Sequence, residues 1–405
     1  MVDQGAFPEL FSPRGRAEPH PIYTRMRAAG RIHRLINPRL NVPVWTATRY
    51  DDCVELLRDP RFVRDFRKLP AETQERYRPL GERSPALDRH MLGSDPPDHT
   101  RLRGVVQKAF SPREMERLRP RIQAIADELL DAVIDQGRMD LVAELAVPLP
   151  VTVIAELLGV PREDRHQFRT WTKILISPTG ERDFMERIQP VLREFERYLR
   201  ERLARRREAP RDDLVSKLLA AEEQERTMSP TELTSMVFLL LVAGHETTVH
   251  LIASGALLLL SHPDERRRVE QDPGLIASAV EEALRHEGPV EFSMVRWALE
   301  DVEVFGARVP AGEGVGASIL SADHDPDQFP DPNRFDVGRS PNRHIAFGSG
   351  IHFCLGAMLA RIEAAVTLST LLRRLPRLAL AVPKDAIEWT DVTLLRGPAA
   401  VPVEF

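Results

Sequence analysis

Cysteine is nearly missing from this chain: among 405 residues only Cys53 and Cys354 occur. Two thiols cannot build a disulfide framework or a four-cysteine metal site, so the expected setting is a reducing, cytoplasmic one. Lysine is almost as scarce, supplying five of the 56 basic residues, while arginine supplies the rest. No excess of one charge is present either. With 61 acidic residues the net charge is −5, which argues against a nucleic-acid partner. The first residues, MVDQGAFPELFSPRGRAEPHP, lack a basic stretch leading into an apolar run, so no signal peptide or membrane anchor is expected. Internal repeats and low-complexity linkers are absent too, and the length allows one large core.

What is present is mostly helical patterning. Residues 31–50 alternate apolar and polar positions around Asn37-Pro38, which predicts a small β-hairpin. From about 51 to 288 the apolar spacing is that of helices. Ser111-Pro112-Arg113-Glu114 and Ser229-Pro230-Thr231-Glu232 both read as capping boxes with proline at the first helical position. The first opens a helix expected to reach Gln136, and the second opens a long central helix that closes before His262-Pro263. Asp272-Pro273 starts another helix, and one more follows Cys354 as far as Arg374. Segments 289–320 and 377–405 are punctuated by proline and β-like. The expected class is mainly α with small β portions, in a single domain over 1–405.

The central helix contains LVAGHETTVH, residues 241–250, inside an otherwise apolar run. Met236 to Leu260 is long enough to cross a bilayer, but Glu246 between two histidines would be expensive there, so a buried core helix is expected. A zinc-protease reading also fails. The H-E-x-x-H motif needs its second histidine four positions on, and Val249 stands there. His245 and His250 lie five apart, about 140° around a helix, and cannot share one ion. What remains is a carboxylate beside a hydroxyl, Glu246-Thr247, preceded by the small pair Ala243-Gly244. A mid-helix threonine can bond back to the preceding turn and bend the helix.

Cys354 lies in FGSGIHFCLG, residues 347–356, just before a helix. A helix N-terminus favours thiolate over thiol, and Gly348, Gly350 and Gly356 allow close approach of a ligand. A nucleophile and a single axial metal ligand both fit this pattern. Cys53 reads as a buried structural thiol.

Phe347, Gly350, Cys354 and Gly356 resemble the F-x-x-G-x-x-x-C-x-G haem-binding signature of the cytochrome P-450 superfamily. AGHETT (243–248) is similar to the oxygen-activating segment of that family's central helix. Glu282 and Arg285 match its E-x-x-R, Phe335 in DPNRFD its meander, and DPPDHTRLR (95–103) the start of its propionate-gripping helix. Counting the E-x-x-R with its meander as one, four elements in order are far more specific than any one of them.

The resemblance implies a cytochrome P-450 fold, with haem b between the long central helix and the Cys-loop helix. It implies Cys354 as the thiolate ligand of the iron, with Phe347 packed beside it. His99, Arg103, Arg296 and His352 would hold the propionates, and Ala243, Gly348 and Gly356 would lie against the haem. Glu282 and Arg285, with Arg334, would lock the Cys loop. Arg101 and His344 are expected at the surface or in loops. Glu246 and Thr247 would manage protons for dioxygen. The implied activity is a monooxygenase that inserts one oxygen atom into a hydrophobic small molecule, by hydroxylation or epoxidation. Alternatives are an oxygen-independent isomerase or dehydratase, and a non-catalytic haem sensor. Electrons would come from a separate ferredoxin and ferredoxin reductase, steered by Lys108 and Arg113, to a monomeric enzyme off the membrane. The implied pocket comprises Leu87, Met91, Leu92, Leu239, Leu240, Ala243, Val290, Phe292, Met294, Leu394 and Leu395. Arg83 or Arg89 could anchor a substrate carboxylate, and residues 165–207, interrupted at SPTGE, would form a mobile lid.

Overall fold

Alternation of apolar and polar residues makes the predicted hairpin. β1 (Ile32–Asn37) pairs antiparallel with β2 (Val42–Ala47), from Ile32 opposite Ala47 to Asn37 opposite Val42. The computed structural model describes residues 6–37, 42–76, 87–176, 184–211, 213–225, 227–390, 392 and 394–405. The hairpin turn with Pro38, Arg83 and the SPTGE interruption lie outside the described residues. Three further strands extend the hairpin: β3 (Phe62–Val63), β4 (Arg296–Ala298) and β5 (Gly314–Ala317). The sheet order is β1-β2-β5-β4-β3, and only β2 and β5 run parallel. A smaller antiparallel sheet joins Arg138–Asp140, Pro402–Glu404 and Ala379–Leu380.

The helices that position the site are ten. Near the N-terminus lie α1 (Pro13–Ala17) and α2 (His20–Ala29), followed by α3 (Asp98–Gln107) and α4 (Pro148–Leu157). Next come α5 (Arg165–Ile176) and α6 (Phe184–Glu208), then α7 (Pro230–Ala243) and α8 (Glu246–Ser261). The last two are α9 (Ile276–Glu287) and α10 (Ala357–Arg374). The main core gathers α7, α8, α9 and α10, with α8 packed directly on both α9 and α10. The stretch Pro230–Ser261 is long and apolar enough to cross a membrane, yet most of it is buried in this core.

Two helices break where the sequence reading expected continuity. The Ser111 helix stops at Glu116 and restarts as Arg119–Asp131, because Pro120 has no amide to donate and suits a first turn. The central helix is interrupted between α7 and α8 at Gly244-His245. His245 has φ −122° and ψ −50°, outside the helical basin. Side chains take up the carbonyls this releases: His245 Nδ1 lies 2.8 Å from the Leu241 oxygen, and Thr247 Oγ1 donates to the Ala243 oxygen at 3.3 Å. Glycine is required at the break. A Cβ on Gly244 would lie 2.5 Å from the Leu240 oxygen and 3.1 Å from Ile154 of α4.

Candidate active site

Cys354 ends a glycine-rich loop, three residues before α10. Its amide donates to the Phe347 oxygen at 2.9 Å, which closes the loop on itself. Gly348 and Gly350 have φ of +74° and +75°, so both turns need glycine. A Cβ on Gly350 would also come within 3.0 Å of the Leu57 oxygen. Phe347 is held from outside by the Arg361 guanidinium, 4.5 Å from its ring centroid. The Cys354 side chain is open to a cleft. Surrounding groups nevertheless crowd it, and burial pushes the thiol above its usual range, outweighing the Gly356 amide, Arg103 and Arg361. The helix-end argument for a thiolate is therefore insufficient in the bare chain. A bound metal has to supply the rest.

Beside this loop the structure assembles five basic groups, with Asp95 and Asp59 the acids that act on them. His99 of α3 and His352 meet edge to face, with ring centroids 4.5 Å apart. Their Nε2 atoms are both buried without a hydrogen-bond partner. Arg103, one turn after His99, donates to the Phe353 oxygen at 2.8 Å, and Arg296 of β4 reaches the same corner. Arg64, which sequence reading passed over, is enclosed here as well and bonds the Leu92 oxygen at 3.1 Å and the Val295 oxygen. Among the described residues none of these five makes an ion pair. Burial depresses them all, His352 to about 2 and Arg64 to about 10, and repulsion from neighbouring cations adds to this at Arg64, His99 and His352. Such a cluster is stable only opposite a buried anion. Three observations thus fit a haem: the cations that outnumber their acids, the orphaned imidazole nitrogens, and the open space beside Gly348 and Gly356, where an added Cβ meets nothing within 4 Å.

The polar patch sits at the start of α8. Ala243 is exposed although the residues around it are largely buried, so of the small pair only Ala243 opens onto free space; Gly244 serves the helix break. The Glu246 carboxylate lies 3.8 Å from His245 Nε2 and 3.6 Å from His250 Nε2. Burial brings both imidazoles down to about 4, so both are neutral near pH 7. Thr248 reaches Glu363 of α10, the helix that carries the Cys loop. Among the described residues no group of three or more ligating side chains could hold a metal ion.

The E-x-x-R pair is fully buried. Arg285 bonds both Glu282 oxygens at 2.8 Å and donates to the Asp323, Pro332 and Arg334 carbonyls. Arg334 contributes only that backbone oxygen. The third charged partner is Arg339, whose Nε lies 3.1 and 3.2 Å from the Glu282 oxygens, joined by Asn342 at 3.1 Å. His344 is not at the surface: its side chain is buried and bonds Glu281 at 3.0 Å. Burial would raise the Glu281 carboxyl, but Arg361 and His344 bring it down to about 2. Arg101 bridges Asp98 to the capping-box Glu232, at 2.8 and 2.6 Å, and so ties α3 to α7.

The expected pocket residues divide. Met294 is an exposed large side chain, and Ala243 is exposed too; Val290, Leu92, Leu394 and Leu395 are half-buried. Leu87, Met91, Leu239 and Leu240 are packed in the main core. Phe292 turns toward the N-terminal cluster, 6.4 Å from Phe11 and 6.5 Å from Tyr23. Arg89 is exposed and, with Arg67, Arg200 and Thr231, borders a separate hollow of about 480 Å³. The expected lid helices α5 and α6 meet through Trp171 and Phe195, stacked at 5.0 Å, and Phe168 reaches His245 at the helix break.

The family model described as Cytochrome P450 matches residues 151–273 and 274–401. The chain is 43% identical to the cytochrome P450 monooxygenase PikC of Streptomyces venezuelae, over 100% of this chain and 94% of that one. It is also 43% identical to the vitamin D(3) 25-hydroxylase of Pseudonocardia autotrophica, over 98% and 96%. A solved structure of the myxobacterial cytochrome P450 CYP267B1 in complex with myristic acid superposes with a TM-score of 0.96 at 69% identity, covering 99% of both chains. The chain therefore belongs to the cytochrome P450 family, which carries haem b on a cysteine thiolate, and is a cytochrome P450 monooxygenase.

Proposed function

We propose that this enzyme, a single-domain monomer of the cytoplasm, hydroxylates or epoxidises a hydrophobic small molecule of lipid size. It would use dioxygen and two electrons delivered by a separate ferredoxin and its reductase. The observation that carries the site assignment is the unpaired basic cluster beside the accessible Cys354. His99, Arg103, Arg296 and His352 hold the propionates, and Cys354 holds the iron. When bound, haem supplies the centre at which dioxygen is reduced and one oxygen atom is transferred.

The chain's own work is positioning and proton supply. Thr247 donates its proton to the Ala243 oxygen, which leaves its own oxygen free to accept a hydrogen bond in the cleft. Glu246 rests against two neutral imidazoles at the start of α8, from where it can pass protons inward through water. Ala243 leaves room on the distal face, and Met294, Val290, Leu394 and Leu395 give the substrate an apolar wall. The myristic acid bound to the 69% identical relative supports a long apolar substrate, and saturated fatty acids are the first to try. Lys108 and Arg113 are exposed and suit an acidic electron donor.

The test is a pair of measurements. Reduced protein treated with carbon monoxide should show the strongly red-shifted Soret band of thiolate ligation; its absence in a fully loaded sample would overturn the assignment of Cys354. In a reconstituted assay Thr247→Ala should keep consuming NADPH while releasing peroxide in place of product. Unchanged coupling would remove Thr247 from the proton path, whereas a wild type that consumes no NADPH in this assay would favour an oxygen-independent reaction or a sensor.

A further inference from the structure

We propose that Arg16, far from the cysteine in sequence, is a positioning residue for the substrate cavity. Its buried guanidinium pins Glu291 to the backbone of Thr390, Val392 and Leu395. The inference rests on the reading that Val290, Met294, Leu394 and Leu395 border that cavity.

Arg16 belongs to the short helix α1, yet its side chain is almost wholly buried. One nitrogen pairs with the Glu291 carboxylate, which is fully buried. The other donates to the carbonyls of Val392 at 2.6 Å and Leu395 at 2.9 Å, with Thr390 at 3.5 Å. The second Glu291 oxygen accepts from the Tyr23 hydroxyl at 2.5 Å. Both carboxylate oxygens are thereby used. The Glu291 backbone is also held: its amide donates to the Leu394 oxygen at 3.1 Å, and its oxygen accepts from Ile319 at 2.9 Å.

Among the described residues of the 390–396 turn, Thr390, Val392 and Leu395 all offer carbonyls to this cation. The base of the turn is closed by the Thr390 amide on the Gly397 oxygen at 2.8 Å, and Arg396 donates from its amide to Pro289 at 2.9 Å. Between them, the Val392 and Leu395 carbonyls point to Arg16. A held carbonyl orients the backbone that carries its neighbours, so the guanidinium acts on Leu395 directly and on Leu394 through Glu291, whose amide donates to the Leu394 oxygen. Arg396 works in the opposite sense, donating to the Arg16 and Ala17 oxygens and pairing with Glu287 at 2.9 Å. A planar fork can face a carboxylate and two carbonyls at once, which a lysine ammonium does less well.

Azole ligands of different size read the cavity shape on the holoenzyme. Imidazole needs only the iron, whereas a trityl imidazole needs the walls. In Arg16→Met the carbon monoxide band and imidazole affinity should match the wild type. Affinity for the trityl imidazole should change by about five-fold or more, roughly 1 kcal/mol. Arg16→Lys should fall between the two, and Tyr23→Phe, which removes one donor only, should shift the same ratio less. If Arg16→Met does not fold, the lysine and phenylalanine variants carry the test. An unchanged ratio of bulky to small azole affinity in every variant that folds overturns the proposal. Loss of both affinities together would reduce Arg16 to a residue of general stability and overturn it as well. A wild-type protein without the thiolate carbon monoxide band would instead sink the haem-site reading.

Discussion

Glu363 offers a perturbation whose sign is opposite to that of most acid mutations. It is fully buried on α10, and neither carboxyl oxygen has a hydrogen bond of good geometry. Burial raises its carboxyl to about 8, against an ordinary 4.5, and the Thr248 hydroxyl offsets little of that. Between those values the folded chain keeps a proton that the unfolded chain has lost. Stability from this group is therefore complete below pH 4.5 and falls as pH rises, until nothing more is lost above about 8. The slope is about 1.4 kcal/mol per pH unit, and roughly 5 kcal/mol over the whole window. Glu363→Gln keeps the shape and removes the titration. The variant should gain on the wild type steadily from pH 5.5 to 8. For a chain of this size the gain is roughly 1–2 °C in thermal midpoint per pH unit. Calorimetry of both holoproteins across that range is the assay. Parallel curves, with a constant difference at every pH, would show that Glu363 is ionised or solvated in the folded state.

Three other substitutions test separate parts of the architecture. Glu282→Gln strands two buried guanidinium groups, Arg285 and Arg339, and should cost about 3–5 kcal/mol in urea unfolding, with poor haem retention. Wild-type stability would instead show that the backbone carbonyls alone suffice. Gly244→Ala should destabilise by about 1–3 kcal/mol although alanine favours helices, because its Cβ has nowhere to go. A neutral or stabilising result in chemical denaturation would mean that the break is not rigidly held. Burial lowers the His286 imidazole to about 4, so its contribution is complete above pH 6.5 and declines as pH falls toward 4. His286→Phe should remove about 1.4 kcal/mol per pH unit of that acid-side slope. An unaltered slope would place the acid sensitivity elsewhere.

Much of the site was legible because its residues sit at motif spacings. Glu282 and Arg285 are one helical turn apart, His99 and Arg103 likewise, and Cys354 shares a short loop with its glycines. Residues that act from a distance gave no such signal. Arg339 joins Glu282 across the meander, and among the many arginines nothing local marks it over Arg334. Arg16 and Arg64 work through side-chain contacts with strands and turns hundreds of positions away. His344 looks like a loop residue until Glu281 and the Cys loop enclose it. The break at Gly244 was half visible: the polar residues were conspicuous, but hydropathy could not say that two of them cap carbonyls. Among pocket residues, side-chain direction decided the outcome, and the turn of Phe292 toward Phe11 follows from tertiary packing alone.

The parallel pairing of β2 with β5 also bears on how the chain is made. Val44 finds its partner in Gly314, so the N-terminal hairpin must wait while most of the protein is translated, roughly 15–50 s at the usual rate. In that interval one edge of β2 stays open, a template for pairing with other chains. The helices from α3 to α9 emerge in between and can settle through local contacts. The sheet waits for Gly314–Ala317 and the basic corner for His352, while the Cys loop ends at residue 356, so all three are completed after those helices. If haem capture waits for them, production at lower temperature or with a holdase should raise the loaded fraction more than extra haem precursor does.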